Sequence, residues 1–78
     1  MNITDDDLIS IQTACLEFST KMVSKYEEAL AVSGAMLNTA MSIYRTVLSE
    51  DDYNKICKMI YETRSRIRTF DTPRELLN

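Results

Sequence analysis

A single helical period runs through the N-terminal part of this chain. Apolar and small residues recur about every 3.6 positions without a change of phase, at Leu8, Ile11, Cys15, Phe18, Met22, Tyr26, Ala29, Ser33, Met36, Ala40, Tyr44 and Val47. Such spacing is typical of one face of an amphipathic α-helix. The period therefore predicts one long helix from about residue 5 to 48, about 66 Å long at ~1.5 Å per residue.

Capping signals place the start of this helix, and one glycine leaves its continuity open. Asp7 follows Thr4 at the spacing of a capping box, and acidic residues 5–7 suit the positive end of a helix dipole. Gly34 destabilises a helix interior by about 1 kcal/mol relative to Ala. A break at Gly34 is therefore the alternative, which gives three helices instead of two.

The segment after Leu48 carries the clearest local helix signal. Ser49 is predicted as N-cap, with Asp52 at the third helical position and with Leu48 and Tyr53 as a hydrophobic staple. This second helix is expected to span about residues 50–68. Thr72-Pro73-Arg74-Glu75 repeats the capping pattern and predicts a short C-terminal helical turn that carries Leu76 and Leu77. The sequence thus predicts a single all-α domain, 1–78, built on a helical hairpin.

The lengths of the two helices predict that the chain forms an oligomer. The second helix can reach back only to about Ala29, so residues 8–26 expose an apolar surface larger than a monomer normally leaves in water. We expect another copy to cover it, a dimer that completes a helix bundle being the default and higher multiples staying open. The predicted interface is Leu8, Ile11, Cys15, Phe18, Met22 and Tyr26.

No charged residue lies between Glu28 and Arg45, so this segment is predicted to be buried on every side, at the centre of the assembly. The alternative is a ligand cavity lined by Asn38, Met41 and Ser42. The segment is shorter than the ~20 residues of a membrane span and includes polar residues, so we expect no membrane contact. The acidic N-terminus differs from a signal peptide, which favours a cytoplasmic location.

The composition excludes most catalytic chemistry. The chain has no histidine and two cysteines, which leaves no four-ligand Cys/His zinc site and no histidine-based catalytic site. Cys15 and Cys57 have apolar neighbours and are expected to be buried, unpaired thiols of a reducing compartment. We expect no enzymatic activity, no cofactor and no metal. A net charge of −3 also argues against nucleic-acid binding.

One cluster could bind an anionic ligand. Tyr61, Arg64 and Arg68 are spaced by about one helical turn, so a ring and two guanidinium groups would share a face. That face suits a phosphate or a nucleotide base. The alternative is that these cations complement the helix dipole and pair with Glu27 and Glu28.

Two functions follow from these patterns. The first is an oligomeric, non-enzymatic helical protein that binds a protein partner, as an adaptor or an inhibitor does. The alternative is an oligomer that sequesters an anionic small molecule, such as a nucleotide or a cyclic nucleotide, at Tyr61, Arg64 and Arg68.

Overall fold

The computed structural model describes residues 2–69, and this range is helical, which confirms the predicted all-α class. Within it the helices are α1 (Asp5–Tyr26), α2 (Ala29–Val47) and α3 (Glu50–Glu62), followed by a short 3₁₀ turn at Arg64–Arg66. The predicted C-terminal helical turn lies outside the described residues.

Helix α1 begins at Asp5, as predicted. The Thr4 hydroxyl accepts a hydrogen bond from the backbone N–H of Asp7 at 3.1 Å, and the Thr4 N–H donates to Asp7 Oδ2 at 3.1 Å. Both halves of the capping box are thus formed, and they satisfy donors that have no partner inside the helix.

The prediction of one long helix over residues 5–48 was wrong. Helix α1 ends at Tyr26, and Glu27 takes a left-handed conformation with φ 51°, its N–H donating to the Val23 carbonyl at 2.7 Å. Adjacent acids, Glu27 and Glu28, are unfavourable at the negative end of α1 and favourable ahead of α2, which gives the break a physical reason. The alternative break at Gly34 was also wrong, because Gly34 lies inside α2.

Helix α3 begins at Glu50, as predicted, and ends earlier than expected. The Ser49 hydroxyl accepts from the Asp52 N–H at 3.1 Å, which forms the predicted N-cap. The helix stops at Glu62 instead of near Arg68, and Ile67 is extended, with φ −68° and ψ 127°. Residues 63–66 contain no apolar side chain, so a longer helix would gain no burial there.

Two compact units make up the described chain, one containing residues 2–32 and the other residues 33–69. The buried apolar residues of the described range are Val23, 4% exposed, and Val32, 8% exposed, both in the first unit. Two valines are a small core for a chain of this length, because folding usually buries most of the apolar surface. None of the helices within residues 2–69 is both long and apolar enough to cross a membrane.

Several hydroxyl groups bond to the backbone of their own helix. Each donates to the carbonyl four residues earlier at 2.6–2.8 Å. The pairs are Ser19 to Cys15, Thr20 to Leu16, Thr46 to Ser42 and Thr63 to Met59. The donors of these side chains are thus satisfied locally.

Candidate functional site

An apolar stripe runs along α1 and is a candidate binding feature of the first unit. We call it the α1 stripe: Leu8, Ile11, Cys15, Phe18, Met22 and Tyr26, the residues predicted to form the oligomer interface. Their 3.6-residue spacing puts them on one side of the helix. Leu8, Ile11, Phe18 and Tyr26 are each more than half exposed, Cys15 is exposed and Met22 is half-buried. The stripe therefore faces water in the single chain.

Cys15 differs from its expected environment. The thiol was predicted to be buried, yet it is exposed in the single chain, whereas Cys57 is half-buried. The physical reason is its place in the N-terminal half of α1, because the side chains of this helix that the chain covers at least partly lie in the C-terminal half. Those residues are Ser19, Thr20, Met22 and Val23. Both thiols are unpaired.

The uncharged part of α2 is also exposed in the single chain, and its burial at the centre of an assembly stays a prediction. Within the uncharged segment Leu37 is 59% exposed and Tyr44 is 37% exposed, and Val47, which follows Arg45 on the same side of the helix, is 68% exposed. We call these three residues the α2 face. An uncharged, apolar surface is stabilised when other atoms bury it, but these side chains are not buried in a single copy of the chain.

The predicted anion-binding residues are only partly brought together. The guanidinium carbon of Arg64 lies 4.0 Å from the centroid of the Tyr61 ring, and Arg64 Nη1 donates to the Tyr61 carbonyl at 2.6 Å. Arg68 follows the end of α3, outside regular secondary structure, so the predicted shared helical face of Arg64 and Arg68 was wrong. A ligand role for Tyr61, Arg64 and Arg68 stays a prediction.

A shallow cleft lies between α2 and α3, inside the second unit. Its volume is 370 Å³, and it is open to solvent. Its lining includes Asn38, Met41 and Ser42, the three residues that were predicted to line a ligand cavity. The other lining residues are Arg45, Thr46 and Tyr53. Asn38, Met41, Ser42, Arg45 and Thr46 share one side of α2 through their i+3 and i+4 spacing.

The cleft contains an arginine stacked on an aromatic ring. The guanidinium carbon of Arg45 lies 5.0 Å from the centroid of the Tyr53 ring, which is within cation–π range. Tyr53 is positioned by the first turn of α3, where its N–H donates to the Ser49 carbonyl at 2.8 Å. A guanidinium held over a ring, with hydroxyl and amide groups nearby, can bind an anionic or planar group.

Arg45 and Tyr53 were missed as candidate site residues in the sequence. Tyr53 was assigned to a staple with Leu48, and both of these residues border a second depression of 210 Å³ together with Arg45 and Glu50. A local signal existed. Arg45 is a cation in the last turn of one helix, and Tyr53 an aromatic residue in the first turn of the next, with the Ser49 cap between them.

The cap at the start of α1 shifts the titration of one carboxyl group. Hydrogen bonds from the Thr4 backbone N–H and then from the Thr4 side chain lower the pKa of the Asp7 carboxyl from its ordinary value of 3.8. Asp7 therefore stays ionised at neutral pH. Within residues 2–69, the structure brings together no group of three or more Cys, Asp and Glu side chains that could hold a metal ion.

The geometry thus offers an exposed apolar stripe on α1, an exposed apolar face on α2 and a shallow cleft with a stacked arginine. Comparisons with protein-family models, with curated proteins and with solved structures find no match to this chain.

Proposed function

We propose that this chain is a non-enzymatic helical binding protein that self-associates into a helix bundle and, in that form, binds a protein partner. The observation that carries the proposal is the exposure of large apolar side chains on α1 and α2, while Val23 and Val32 are the buried apolar residues of the described range. A soluble chain keeps such surfaces when another molecule covers them.

The energetics favour association. Burying a Leu, Ile or Phe side chain fully stabilises a protein by about 1.5–3 kcal/mol. Leu8, Ile11 and Phe18 are each about half exposed, so complete cover contributes about 1 kcal/mol for each of them. The same contacts repeat in each copy of a symmetric oligomer.

We assign the two apolar surfaces to different partners. Charged residues lie at both ends of α1, which suits pairing with a complementary helix. The α2 face lies on a helix whose one charged residue is Arg45, and it suits a hydrophobic groove on another protein. The assignment is therefore α1 for self-association and α2 for a protein partner.

Light scattering of the full chain at several concentrations, with two matched double variants, tests this assignment. Ile11→Glu with Phe18→Glu should give a monomer, because each added carboxylate would be buried in the interface. Leu37→Glu with Val47→Glu should keep the mass of the wild type and lose binding of a protein partner captured in stoichiometric amount by the wild-type chain. A wild-type monomer at every concentration contradicts self-association. Unchanged partner binding by the α2 variant contradicts the second assignment.

The stacking of Arg45 on Tyr53 favours a second candidate function, which is sequestration of an anionic small molecule in the cleft between α2 and α3. A thermal-shift series with nucleotides and cyclic nucleotides tests it, because a ligand at 100 times its Kd adds about 2.7 kcal/mol of stability. Arg45→Gln should abolish the shift and Arg64→Gln should leave it unchanged. Loss only in Arg64→Gln would instead favour the Tyr61 and Arg64 pair, and flat melting curves would exclude both sites for the molecules used.

A further inference from the structure

Charges of opposite sign occupy the two ends of α1. The first turn contains Asp5, Asp6 and Asp7, whereas the C-terminal part contains Lys21 and Lys25, and all five residues are exposed. No basic residue precedes Lys21 in this helix, and its one acid beyond the first turn is Glu17. Within the helix, therefore, the first turn is acidic and the last two turns carry the lysines, while the acids Glu27 and Glu28 follow after the helix has ended.

Three of these charges lie along one edge of the α1 stripe. Asp7 and Lys21 are separated by two seven-residue repeats, and Lys25 follows Lys21 by one turn. Because a seven-residue step returns to nearly the same side of a helix, the three side chains border the stripe on the same edge. Ala14 lies midway between Asp7 and Lys21 on that edge.

From this arrangement we infer that α1 pairs antiparallel with α1 of a second copy, stripe against stripe, with Asp7 of each copy beside Lys21 of the other. The two-fold axis passes next to Ala14, whose small side chain leaves room for the two helices to approach. The inference rests on the self-association proposed above and specifies its surface, its partner and its orientation.

Charge complementarity decides the orientation. A parallel pair would bring the acidic ends of both helices together at one end and the lysines together at the other, which is repulsive at each end. An antiparallel pair puts each acidic end beside a basic end, and the two-fold axis makes this contact twice. Exposed ion pairs contribute only about 0.2–1 kcal/mol each, so they select the orientation while apolar burial supplies the affinity.

The apolar residues also interleave in this register. With the axis next to Ala14, Leu8 is level with the space between Phe18 and Met22 of the second copy, and Ile11 is level with the space between Cys15 and Phe18. Side chains that enter the spaces between facing residues are the packing of a two-stranded coiled coil. Every member of the stripe except Met22 is exposed in the single chain, so its surface is accessible to a second copy.

The size of the paired surface sets the expected strength. Helix α1 has 22 residues, so it is about 33 Å long at ~1.5 Å per residue. Two such faces bury area on the order of 1,000 Å², which lies at the lower end of specific interfaces. The dimer should therefore dissociate on dilution.

Cross-linking of the full chain tests the orientation. The background protein carries Cys15→Ala and Cys57→Ala, and either Ala14→Cys or Lys21→Cys is added to it. Both proteins are treated with a short bismaleimide at concentrations that give the same fraction of dimer, as measured by light scattering. In the antiparallel pair, the two copies of residue 14 face each other. The two copies of residue 21 are separated by about 21 Å along the axis at ~1.5 Å per residue. Ala14→Cys should cross-link faster by about tenfold or more, because the effective concentration falls steeply with separation.

Each outcome decides between arrangements. Equal cross-linking at both positions indicates a parallel pair and overturns the inference. A dimer that cross-links at neither position uses another surface, which overturns the inference while the proposed self-association stands. A wild-type chain that stays monomeric overturns both.

Charge reversal gives a second test that does not need the cysteine variants. Lys21→Glu with Lys25→Glu should raise the dimer Kd by about tenfold at low salt, and added salt should reduce the difference because it screens exposed charges. Lys55→Glu with Lys58→Glu is the matched control: it changes the net charge equally at exposed positions of α3. Equal weakening by both double variants would show a net-charge effect and would overturn the inference.

Discussion

Thr4 and Asp7 exchange two hydrogen bonds at the start of α1, each 3.1 Å long. The bond from the Thr4 N–H to the Asp7 carboxylate depends on the charge of Asp7, whereas the bond from the Asp7 N–H to the Thr4 hydroxyl does not. Protonation of Asp7 therefore tests the first bond, and replacement of Thr4 removes the acceptor of the second.

The stability of the chain should fall with acid through Asp7. The Thr4 backbone N–H, and then the Thr4 side chain, lower the pKa of this carboxyl in the folded chain. Its contribution is therefore fully present above the ordinary value of 3.8 and is lost as the pH falls through the lower folded pKa. Urea unfolding followed by circular dichroism should show that the free energies of unfolding of the wild type and of Asp7→Asn become equal at low pH. Asp6→Asn is the control, and an equal convergence in that variant would contradict the role of the cap.

Removing the hydroxyl of the cap should destabilise α1. Thr4→Ala deletes the acceptor of the Asp7 N–H, and loss of such an N-cap costs about 1 kcal/mol. Thr13→Ala is the control, because Thr13 lies within α1 and its replacement also exchanges a threonine for a better helix former. Urea unfolding at neutral pH should show a lower free energy of unfolding for Thr4→Ala and not for Thr13→Ala. Similar free energies of unfolding for both variants would mean that the cap does not stabilise the chain.

The left-handed residue between α1 and α2 should accept glycine. Glu27 has φ 51°, a conformation that costs a side-chain-bearing residue about 1 kcal/mol and costs glycine little. Glu27→Gly should therefore raise the free energy of unfolding by up to about 1 kcal/mol. Glu28→Gly should not, because glycine there meets no positive φ. Destabilisation by Glu27→Gly would show that the side chain of Glu27 stabilises the chain by more than its left-handed backbone conformation costs.

The fold was predictable where its signals are local. The Thr4 and Ser49 caps are short patterns of residue types, and both helices begin where those patterns predict. The end of α1 was missed because the apolar period continues in phase through Glu27, and the repulsion of two acids by a helix end does not change that period. The stacking of Arg45 on Tyr53 was missed because it joins two helices, and periodicity describes one helix at a time.

Gly34 should be replaceable by alanine in the single chain. A Cβ added there meets nothing within 4 Å, and alanine favours an α-helix by about 1 kcal/mol relative to glycine. Gly34→Ala should therefore raise the stability of the dilute chain by about that amount. The same variant reports on assembly at higher concentration, because a helix of another copy in close contact with Gly34 would clash with the new methyl group and weaken the oligomer.

The thiol of Cys15 should report directly on self-association. It lies on the α1 stripe and is exposed in the single chain, whereas Cys57 is half-buried. Alkylation followed by mass spectrometry should show that the rate at Cys15 falls as protein concentration rises, because the stripe becomes covered. The rate at Cys57 gives the comparison within the same molecule. A rate at Cys15 that does not depend on concentration would place the oligomer contact elsewhere.

The hydroxyl groups that donate to their own helix also change the character of the helix sides that lie away from the α1 stripe and the α2 face. Thr46 and Thr20 are polar by residue type, but each hydroxyl proton is already held by a carbonyl one turn earlier. A docking helix therefore meets mainly their methyl groups and does not strip water from an unsatisfied donor. Hydropathy scales, which score every threonine as if its hydroxyl bonded to water, therefore overstate the polarity of the sides of α1 and α2 that carry Thr20 and Thr46.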